Sequence, residues 1–334
     1  MAVSVESHPR TFAPPHLRTS GGLRIVFFGT PEFAVPSLQR LISSRHYVVG
    51  VVTQPDRPRG RGQRVSDSPV KTTALSGELP VLQPDRLREP GVADTIRTWA
   101  PDLGVVVAYG KLIPESLLAI PRLGMINVHG SLLPKYRGAA PVHRAVIDGA
   151  AETGVTIIRV AALLDSGNMF AKAKRPIGPD ETSDVVERDL AELGASLLMT
   201  VVEDLAAGRA AEEPQDDMLS TYAARLTKDE GLVDWALPAA YIHNRVRGLY
   251  PWPHAYTYLA GDRVIILRTR VDSAPTTEPP GTVVEASNDR LRVATGHSGL
   301  IAIEDLQLEG RRAMSSREFL AGHSIRPGAR FGSQ

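Results

Sequence analysis

Asn127 and His129 are the residues of this chain whose types and spacing best suit chemistry on an acyl group. They lie two positions apart in the run GMINVHG, so in an extended strand both side chains point to the same face. An amide and an imidazole on one face offer hydrogen-bond donors to a carbonyl oxygen without supplying a covalent nucleophile. Such donors stabilise a tetrahedral oxyanion by about 3 kcal/mol each. The pair therefore predicts direct acyl transfer.

Asp165 is the candidate for a third group that orients or deprotonates. It follows the apolar run TGVTIIRV at a second strand end, and Gly167 next to it permits a close backbone approach. Structural alternatives stay open, because a histidine at a strand end is often a hydrogen-bonded core residue and an aspartate before Ser-Gly often forms a turn. His143 is predicted to be a helix-surface residue. No second histidine or carboxylate stands at ligand spacing with the Asn-His pair, so no metal site is predicted.

The N-terminal half predicts a scaffold that brings strand ends together. Apolar runs at LRIVFF, YVVGVV, 103–108 and 125–128 alternate with helical segments. This alternation is typical of βαβ units in a doubly wound, mostly parallel α/β sheet, which binds ligands at the carboxyl ends of its strands. The first strand is followed by GTPEF rather than the full G-x-G-x-x-G pattern, so a nicotinamide oxidoreductase is not favoured.

The pattern changes near residue 210, and the chain divides into four predicted parts. After a long helical segment comes the polar stretch AGRAAEEPQDD, and then short β-rich runs separated by Gly, Pro, Asn and Asp. Such runs predict a small antiparallel barrel or sandwich, which on these residues alone reads as a stabilising appendage. The predicted parts are a flexible leader at 1–22, a catalytic domain at 23–208, a linker at 209–227 and a smaller domain at 228–334.

Composition excludes several classes of protein. The chain has 334 residues, of which 43% are hydrophobic and 22% charged, and no apolar run reaches the length of a membrane span. With 38 Lys+Arg against 37 Asp+Glu, the net charge of +1 argues against a strongly basic nucleic-acid binder but leaves room for a local basic patch. Cysteine is absent, which excludes disulfide scaffolds and thiol nucleophiles. Nothing argues for secretion, and we expect a cytoplasmic protein.

A basic segment follows the second predicted strand. In QPDRPRGRGQRVSDSPVK four arginines alternate with Pro and Gly and have almost no apolar residue to anchor them: Arg57, Arg59, Arg61 and Arg64. One interpretation is a solvated loop, and the other is a loop whose guanidinium groups bind nucleic-acid phosphates. The segment leaves the sheet at the same carboxyl-end surface as His129, which suits a loop over a bound substrate.

Several of these strings resemble the 10-formyltetrahydrofolate-dependent formyltransferases, and among them the branch that formylates methionyl-tRNA. They are INVHGSLLPKYRGAAP with the DSGNM loop, RIVFFGTPEFAVPSL, the arginine segment, LTKDEGLVDW and LYPWPHAY, so the resemblance runs from about residue 23 to the C-terminus. One departure is DSG, where relatives often have Thr or Ala. The resemblance implies a Rossmann-like catalytic domain, an OB-like tRNA-binding barrel and three groups of site residues. These are catalytic Asn127, His129 and Asp165, folate-binding Ser131, Leu132, Leu133 and Pro134, and tRNA-binding Arg57, Arg59, Arg61 and Arg64.

The resemblance also implies a reaction and its partners. The formyl donor is 10-formyltetrahydrofolate, no metal takes part, and the acceptor is the α-amino group of methionyl initiator tRNA in translation initiation. A monomer that does not associate with membranes is expected. The alternatives are an amino-sugar-nucleotide formyltransferase, which has no need of four arginines, and a catalytically silent RNA-binding protein on the same scaffold. A glycinamide ribonucleotide formyltransferase is less favoured because the chain carries an extra domain.

Overall fold

The computed structural model describes residues 21–59 and 64–332. Strands and helices alternate through the N-terminal part of the chain. In order they are β1 (Arg24–Gly29), α1 (Val35–Ile42), β2 (Tyr47–Val52), β3 (Arg57–Arg59), β4 (Arg64–Ser66), α2 (Pro69–Ser76), β5 (Val81–Leu82), α3 (Val92–Thr98), β6 (Leu103–Val107), α4 (Glu115–Leu118), β7 (Met125–His129), β8 (Arg137–Gly138), α5 (Pro141–Ile147), β9 (Glu152–Arg159), β10 (Met169–Pro176) and α6 (Ser183–Ala206).

A seven-stranded sheet in the order β10-β9-β7-β6-β1-β2-β5 forms the centre of this part. The five strands from β7 to β5 are parallel, whereas β9 runs antiparallel to β7 and β10 antiparallel to β9. Ile25 and Phe27 of β1 pack in the core with α1 and α6, while Val26 and Phe28 pack on the other face with α3 and α4. Burial on both faces explains the continuous apolar runs, and the predicted mostly parallel α/β class is confirmed.

The segment 209–227, predicted to be a linker, lies against loops that adjoin the seven-stranded sheet. It contains a 3-10 helix at Asp217–Leu219 and a strand, β11 (Tyr222–Ala223), which pairs in parallel with β8. Glu213 forms an isolated antiparallel bridge with Met169 of β10. These backbone contacts attach the segment to β8 and β10 of the α/β part.

The C-terminal part follows a further 3-10 helix at Asp229–Gly231. Its elements are α7 (Ala239–Gly248), β12 (Ala255–Leu259), β13 (Asp262–Asp272), β14 (Val283–Ser287), β15 (Arg290–Ala294), β16 (Leu300–Leu308), β17 (Met314–Ser315), α8 (Ser316–Gly322) and β18 (Phe331–Gly332).

These strands form an antiparallel sheet in the order β14-β15-β16-β13-β12-β18, with β17 beside β16. Hydrogen bonds between residues 281–283 and 328–331 join the two ends of this path, so the sheet curls back on itself. Its interior holds Trp235, Ile266, Ile303 and Phe319. The prediction of a small β-barrel in this half of the chain is therefore confirmed.

The barrel part packs on the α/β part through α7 and α5. A Cβ on Gly248 would lie 2.3 Å from the Ile147 side chain, so only glycine permits this helix contact. Ser183 Oγ donates a hydrogen bond to Gly248 O at 2.9 Å, and His243 Nε2 lies 2.9 Å from Pro179 O. The domain limits drawn from the sequence stay a prediction. Within the described residues, no helix is both long and apolar enough to span a membrane.

Candidate active site

A cavity of about 550 Å³ opens beside the carboxyl ends of β6 and β7. Asn127, His129 and Asp165 all contribute to its wall, so the structure brings the three predicted catalytic residues together. In the described part of the chain, no three metal-ligating side chains lie close enough to hold an ion.

His129 occupies the last position of β7, where only 5% of its surface is exposed. Its Nε2 lies 2.9 Å from the carbonyl oxygen of Tyr136. Because a carbonyl can only accept, Nε2 must carry a proton and donate it. This bond fixes the ring, and it turns Nδ1 toward Asp165, whose Oδ2 lies 3.6 Å away. A proton on Nδ1 can thus be shared with a carboxylate or donated to a ligand in the cavity.

Asp165 sits in a left-handed turn with a φ of +49°, a conformation that costs a non-glycine residue roughly 1–3 kcal/mol. Its Oδ2 accepts a hydrogen bond from the backbone N–H of Gly138 at 2.9 Å. Gly167 follows at a position where a Cβ would lie 1.8 Å from Arg159 O, so only glycine lets the chain pass there. The surrounding contacts therefore hold the Asp165 carboxylate in one place.

The route by which Asp165 reaches this place differs from the one expected. The sequence suggested that the end of the preceding strand lies at the same edge as His129. Because β9 runs antiparallel to β7, its last residue Arg159 pairs with Ile126 near the start of β7, while His129 pairs with Thr156. The loop after β9 then leads back along the sheet before Asp165 meets His129.

Asn127 lies between β6 and β9 in the sheet, paired with Val106 and Ile158. Its side chain shares a face with His129 and is partly exposed in the cavity wall. Among the described residues, none forms a hydrogen bond with its side-chain amide. Its two N–H groups are therefore available to a carbonyl oxygen of a bound substrate.

The four residues expected to bind folate form the turn that follows β7. Ser131 is completely buried, and its Oγ donates to Lys135 O at 2.6 Å. Thr156 Oγ1 donates to Ser131 O at 2.7 Å and accepts from Leu133 N at 3.1 Å, which ties the turn into the interior. Among the described residues that line the cavity, none comes from Ser131, Leu132, Leu133 or Pro134. The structure therefore shows no direct contact of these four residues with the cavity, and their role in folate binding stays a prediction.

Two other loops line the cavity, and the sequence reasoning missed them. They follow β6 at 108–113 and β9 at 160–164. Leu112 and Leu163 are each 74% exposed at the rim, although leucines prefer burial. The sequence signal that could have identified these loops is an apolar segment after each strand, KLIP after β6 and ALL after β9. These loops give the cavity an apolar rim that suits a flat ring system.

His143 and Glu187 also line the cavity, so the prediction that His143 lies on a helix surface is wrong. Burial lowers the pKa of His143, and the neighbouring Arg144 lowers it further. Burial raises the pKa of Glu187, and the negative charge of Asp184 adds to the effect. Burial in the folded chain thus favours the neutral form of each side chain more than the unfolded chain does.

Replacing Glu187 with glutamine is expected to stabilise the protein at pH 8. An acid whose pKa is raised by folding stabilises the native state only while it is protonated, and that stability is lost as pH rises through the folded pKa. Below the unfolded value of about 4.3 both states are protonated, and the substitution should have little effect. Urea unfolding at pH 8 and pH 4 measures the difference.

Glu192→Gln serves as the control because that carboxylate is 60% exposed and pairs with Arg40 at the surface. A gain for Glu187→Gln that is equal at both pH values would contradict the assigned burial effect.

The arginine segment forms a hairpin from β3 and β4, with Arg57 paired to Ser66 and Arg59 to Arg64. It follows the carboxyl end of β2, the same edge of the sheet as His129. Arg61 lies outside the described residues. At the base of the hairpin, Lys71 pairs with Asp56 and with Asp67, and Gln83 Nε2 donates to Asp56 Oδ1 at 2.9 Å. These contacts anchor the base of the hairpin to α2 and to the segment after β5.

Comparison with known proteins adds a second line of evidence. A family model described as formyl transferase matches residues 23–202, and one for the formyl transferase C-terminal domain matches residues 225–324. A methionyl-tRNA formyltransferase of Geobacter sulfurreducens is 48% identical over 311 residues, which cover 93% of this chain and 97% of that protein. One of Moorella thermoacetica is 43% identical over 306 residues, covering 92% and 98%.

Solved structures share the fold at low identity. WlaRD, a sugar 3N-formyl transferase determined in the presence of dTDP and 5-N-formyl-THF, has a TM-score of 0.64 with 16% identity, covering 87% of this chain and 99% of that one. An N-formyltransferase of Helicobacter canadensis, in complex with folinic acid and dTDP-3-aminofucose, has a TM-score of 0.63 with 14% identity, covering 84% and 98%. At these identities the likeness is one of fold.

Proposed function

The chain belongs to the methionyl-tRNA formyltransferase family, and we propose that Asn127, His129 and Asp165 carry its formyl transfer from 10-formyltetrahydrofolate to the α-amino group of methionyl initiator tRNA. The observation that carries this proposal is the convergence of the three side chains on one cavity wall. There the Asn127 amide has no partner among the described residues, and His129 is fixed by Tyr136 O. Asn127 and His129 together offer hydrogen-bond donors to an oxyanion, and the carboxylate of Asp165 lies beside them.

The bond-forming step needs little activation of the acceptor. An α-amino group has a reference pKa of about 8, so a useful fraction is neutral at physiological pH. The amine nitrogen attacks the formyl carbon, and the carbonyl oxygen becomes an oxyanion. It accepts hydrogen bonds from the Asn127 amide and, once Nδ1 carries a proton, from His129 Nδ1, because the Nε2 proton is bonded to Tyr136 O. A new C–N bond forms, and the bond between the formyl carbon and N10 of the folate then breaks.

The placement of Asp165 indicates how the protons are transferred. The attacking amine must lose a proton, and the leaving N10 nitrogen must gain one. Asp165 orients His129 through the contact of Oδ2 with Nδ1 at 3.6 Å and helps to take the proton from the amine, through His129 or water. The same route then delivers that proton to the leaving N10 nitrogen. No covalent enzyme intermediate is needed, which agrees with the absence of cysteine from the chain.

The donor and the acceptor fit different parts of the cavity. The apolar loops at 108–113 and 160–164 support binding of the folate ring. Tyr222 and Arg225 also line the cavity, and they offer it an exposed aromatic ring and an exposed guanidinium group. Stacking and charge at a cavity mouth are typical of sites for nucleic-acid ends. As part of this proposal we expect a cytoplasmic monomer, and analytical ultracentrifugation tests the oligomeric state.

Neutralising the arginine hairpin is expected to weaken tRNA use. With Arg57, Arg59, Arg61 and Arg64 changed to glutamine, KM for methionyl-tRNA should rise about 10-fold or more, since each phosphate contact releases counterions. For the same reason the slope of log(kcat/KM) against log[salt] should become shallower by up to about 3. Lys172→Gln with Lys174→Gln, on β10 at the opposite edge of the sheet, is the control. An unchanged salt slope would leave the hairpin as a solvated loop.

One assay tests the proposed function. The protein is incubated with 10-formyltetrahydrofolate and either charged initiator tRNA or a nucleotide-linked amino sugar, and the formylated product is identified by mass spectrometry. Formyl-methionyl-tRNA is the expected product. Formylation of the amino sugar alone would support the alternative acceptor, whereas tRNA binding without any formylated product would indicate an RNA-binding protein.

A further inference from the structure

Gln215 is an unexpected neighbour of the catalytic aspartate. It belongs to the segment 209–227, fifty residues further along the chain than Asp165. Its side-chain Nε2 donates to the backbone carbonyl of Asp165 at 2.7 Å and to that of Gly167 at 2.8 Å. One amide group thus bridges the two residues on either side of Ser166, across the left-handed turn.

Arg137 determines which way this amide points. Its Nε and Nη2 donate to Gln215 Oε1 at 3.0 and 2.7 Å, and Nη2 also pairs with Asp217 at 2.6 Å. An arginine can only donate and carbonyls can only accept, so the amide oxygen must face Arg137 and the nitrogen must face the Asp165 loop. Each polar atom of the side chain therefore has a partner of the right kind.

The same short strand supplies both anchors of the aspartate. Arg137 orients Gln215, and the N–H of the next residue, Gly138, holds Asp165 Oδ2. This strand, β8, pairs in turn with β11 of the segment that contains Gln215. Glu212 also ties the segment to β9 and to the residue before β10. Its carboxylate pairs with Arg159 of β9 and accepts a hydrogen bond from the side chain of Asn168 at 3.2 Å.

We propose that Gln215 is a positioning residue for formyl transfer, which holds the turn at Asp165 and Gly167 so that the Asp165 carboxylate faces His129. Under this proposal, which rests on the proposed function, the segment 209–227 is part of the active site. The side chain acts through two backbone carbonyls and touches neither substrate. Its loss should therefore lower kcat and leave KM for both substrates nearly unchanged.

Gln215→Glu is the sharpest test, because it keeps the size of the side chain and an acceptor for Arg137 but replaces the donor by a second oxygen. We expect kcat to fall about 30-fold, as misplacement of a supporting group costs about 10- to 100-fold. Gln215→Met, which removes both the donor and the acceptor, covers the case in which the glutamate variant does not fold. Gln307→Glu is the matched control, since Gln307 Nε2 also donates to a carbonyl, that of Arg311, but in the barrel.

A double-mutant cycle separates positioning of Asp165 from a general structural effect. If Gln215 acts through Asp165, Gln215→Glu should lower kcat less than about 3-fold when Asp165 is already asparagine. A 30-fold loss in both backgrounds would overturn the proposal.

Hydrogen exchange gives a readout that does not depend on activity. The amides of residues 163–168 should exchange about 10-fold faster in Gln215→Glu than in the wild type, and at an unchanged rate in Gln307→Glu. Unchanged exchange together with unchanged kcat would overturn the proposal. A wild-type protein that formylates no methionyl-tRNA would instead contradict the proposed function, and the exchange experiment would still decide the role of Gln215.

Discussion

Replacing His129 with alanine should lower kcat for formylation of methionyl-tRNA by about 10²- to 10³-fold. The imidazole is 95% buried, is fixed by its bond to Tyr136 O and lines the cavity in which we propose that the oxyanion develops. A donor of this kind is worth about 3–4 kcal/mol in the transition state and little in the ground state. Asn127→Ala removes the second donor and should have an effect of the same order. Single-turnover formylation with saturating donor measures both.

Two results make this prediction specific. KM for methionyl-tRNA should change less than about 3-fold, because we propose that the tRNA is bound by the arginine hairpin and the cavity mouth. His323→Ala is the control, since His323 also bonds a backbone carbonyl through its ring, that of Phe319 at 3.0 Å, but lies after α8 in the barrel. If either cavity variant keeps near-wild-type turnover, the assignment of the oxyanion site is wrong.

Asp165→Asn is the second substitution with a large expected effect, about 10²- to 10³-fold in kcat. The side chain keeps its size, and its oxygen can still accept the Gly138 N–H, so the left-handed turn should survive. The same atom position faces His129 Nδ1, so that nitrogen then meets the oxygen of an uncharged amide, which cannot take up a proton or stabilise an imidazolium ion as a carboxylate does. The loss is thus chemical rather than structural. Pre-steady-state kinetics measures the rate, and circular dichroism checks the fold.

A nearby carboxylate supplies the control for this substitution. Asp217 pairs with Arg137 next to the same turn, but its side chain is 80% exposed. Asp217→Asn should therefore change kcat less than about 3-fold, since exposed ion pairs contribute little. Equal losses in both variants would show that charge near the loop matters in general and that Asp165 has no special role.

The sequence predicted the elements of the α/β part well because burial on both faces imposes continuous apolar runs. It also placed Asn127 and His129 on one face, since the alternation of side chains along a strand is a property of the backbone. It could not predict which face the loop residues Ser131 and Leu133 take. Their burial depends on Thr156, which lies on a neighbouring strand and meets them only in the folded chain.

The arginine hairpin and the cavity wall show the same limit of prediction from the sequence. Proline, glycine and arginine in alternation indicated an unanchored segment, yet its base is fixed by Lys71 and Gln83, which come from α2 and from the chain after β5. His143 read as a surface residue because one helix turn does not show what packs against it. The cavity formed with Glu187 of α6 places it in the wall.

By itself the sequence determined the class of the fold, the paired donors on β7 and the family, because each of these is written in residues that are close along the chain. Only the tertiary structure decided how Asp165 reaches His129. The antiparallel pairing of β9 with β7 carries the chain away from His129, and the loop must return. The contacts that hold it there come from Gly138 and Gln215, which are 27 and 50 residues from Asp165 along the chain. Partners so distant are chosen by packing and by the need to satisfy buried polar groups, which no local pattern records.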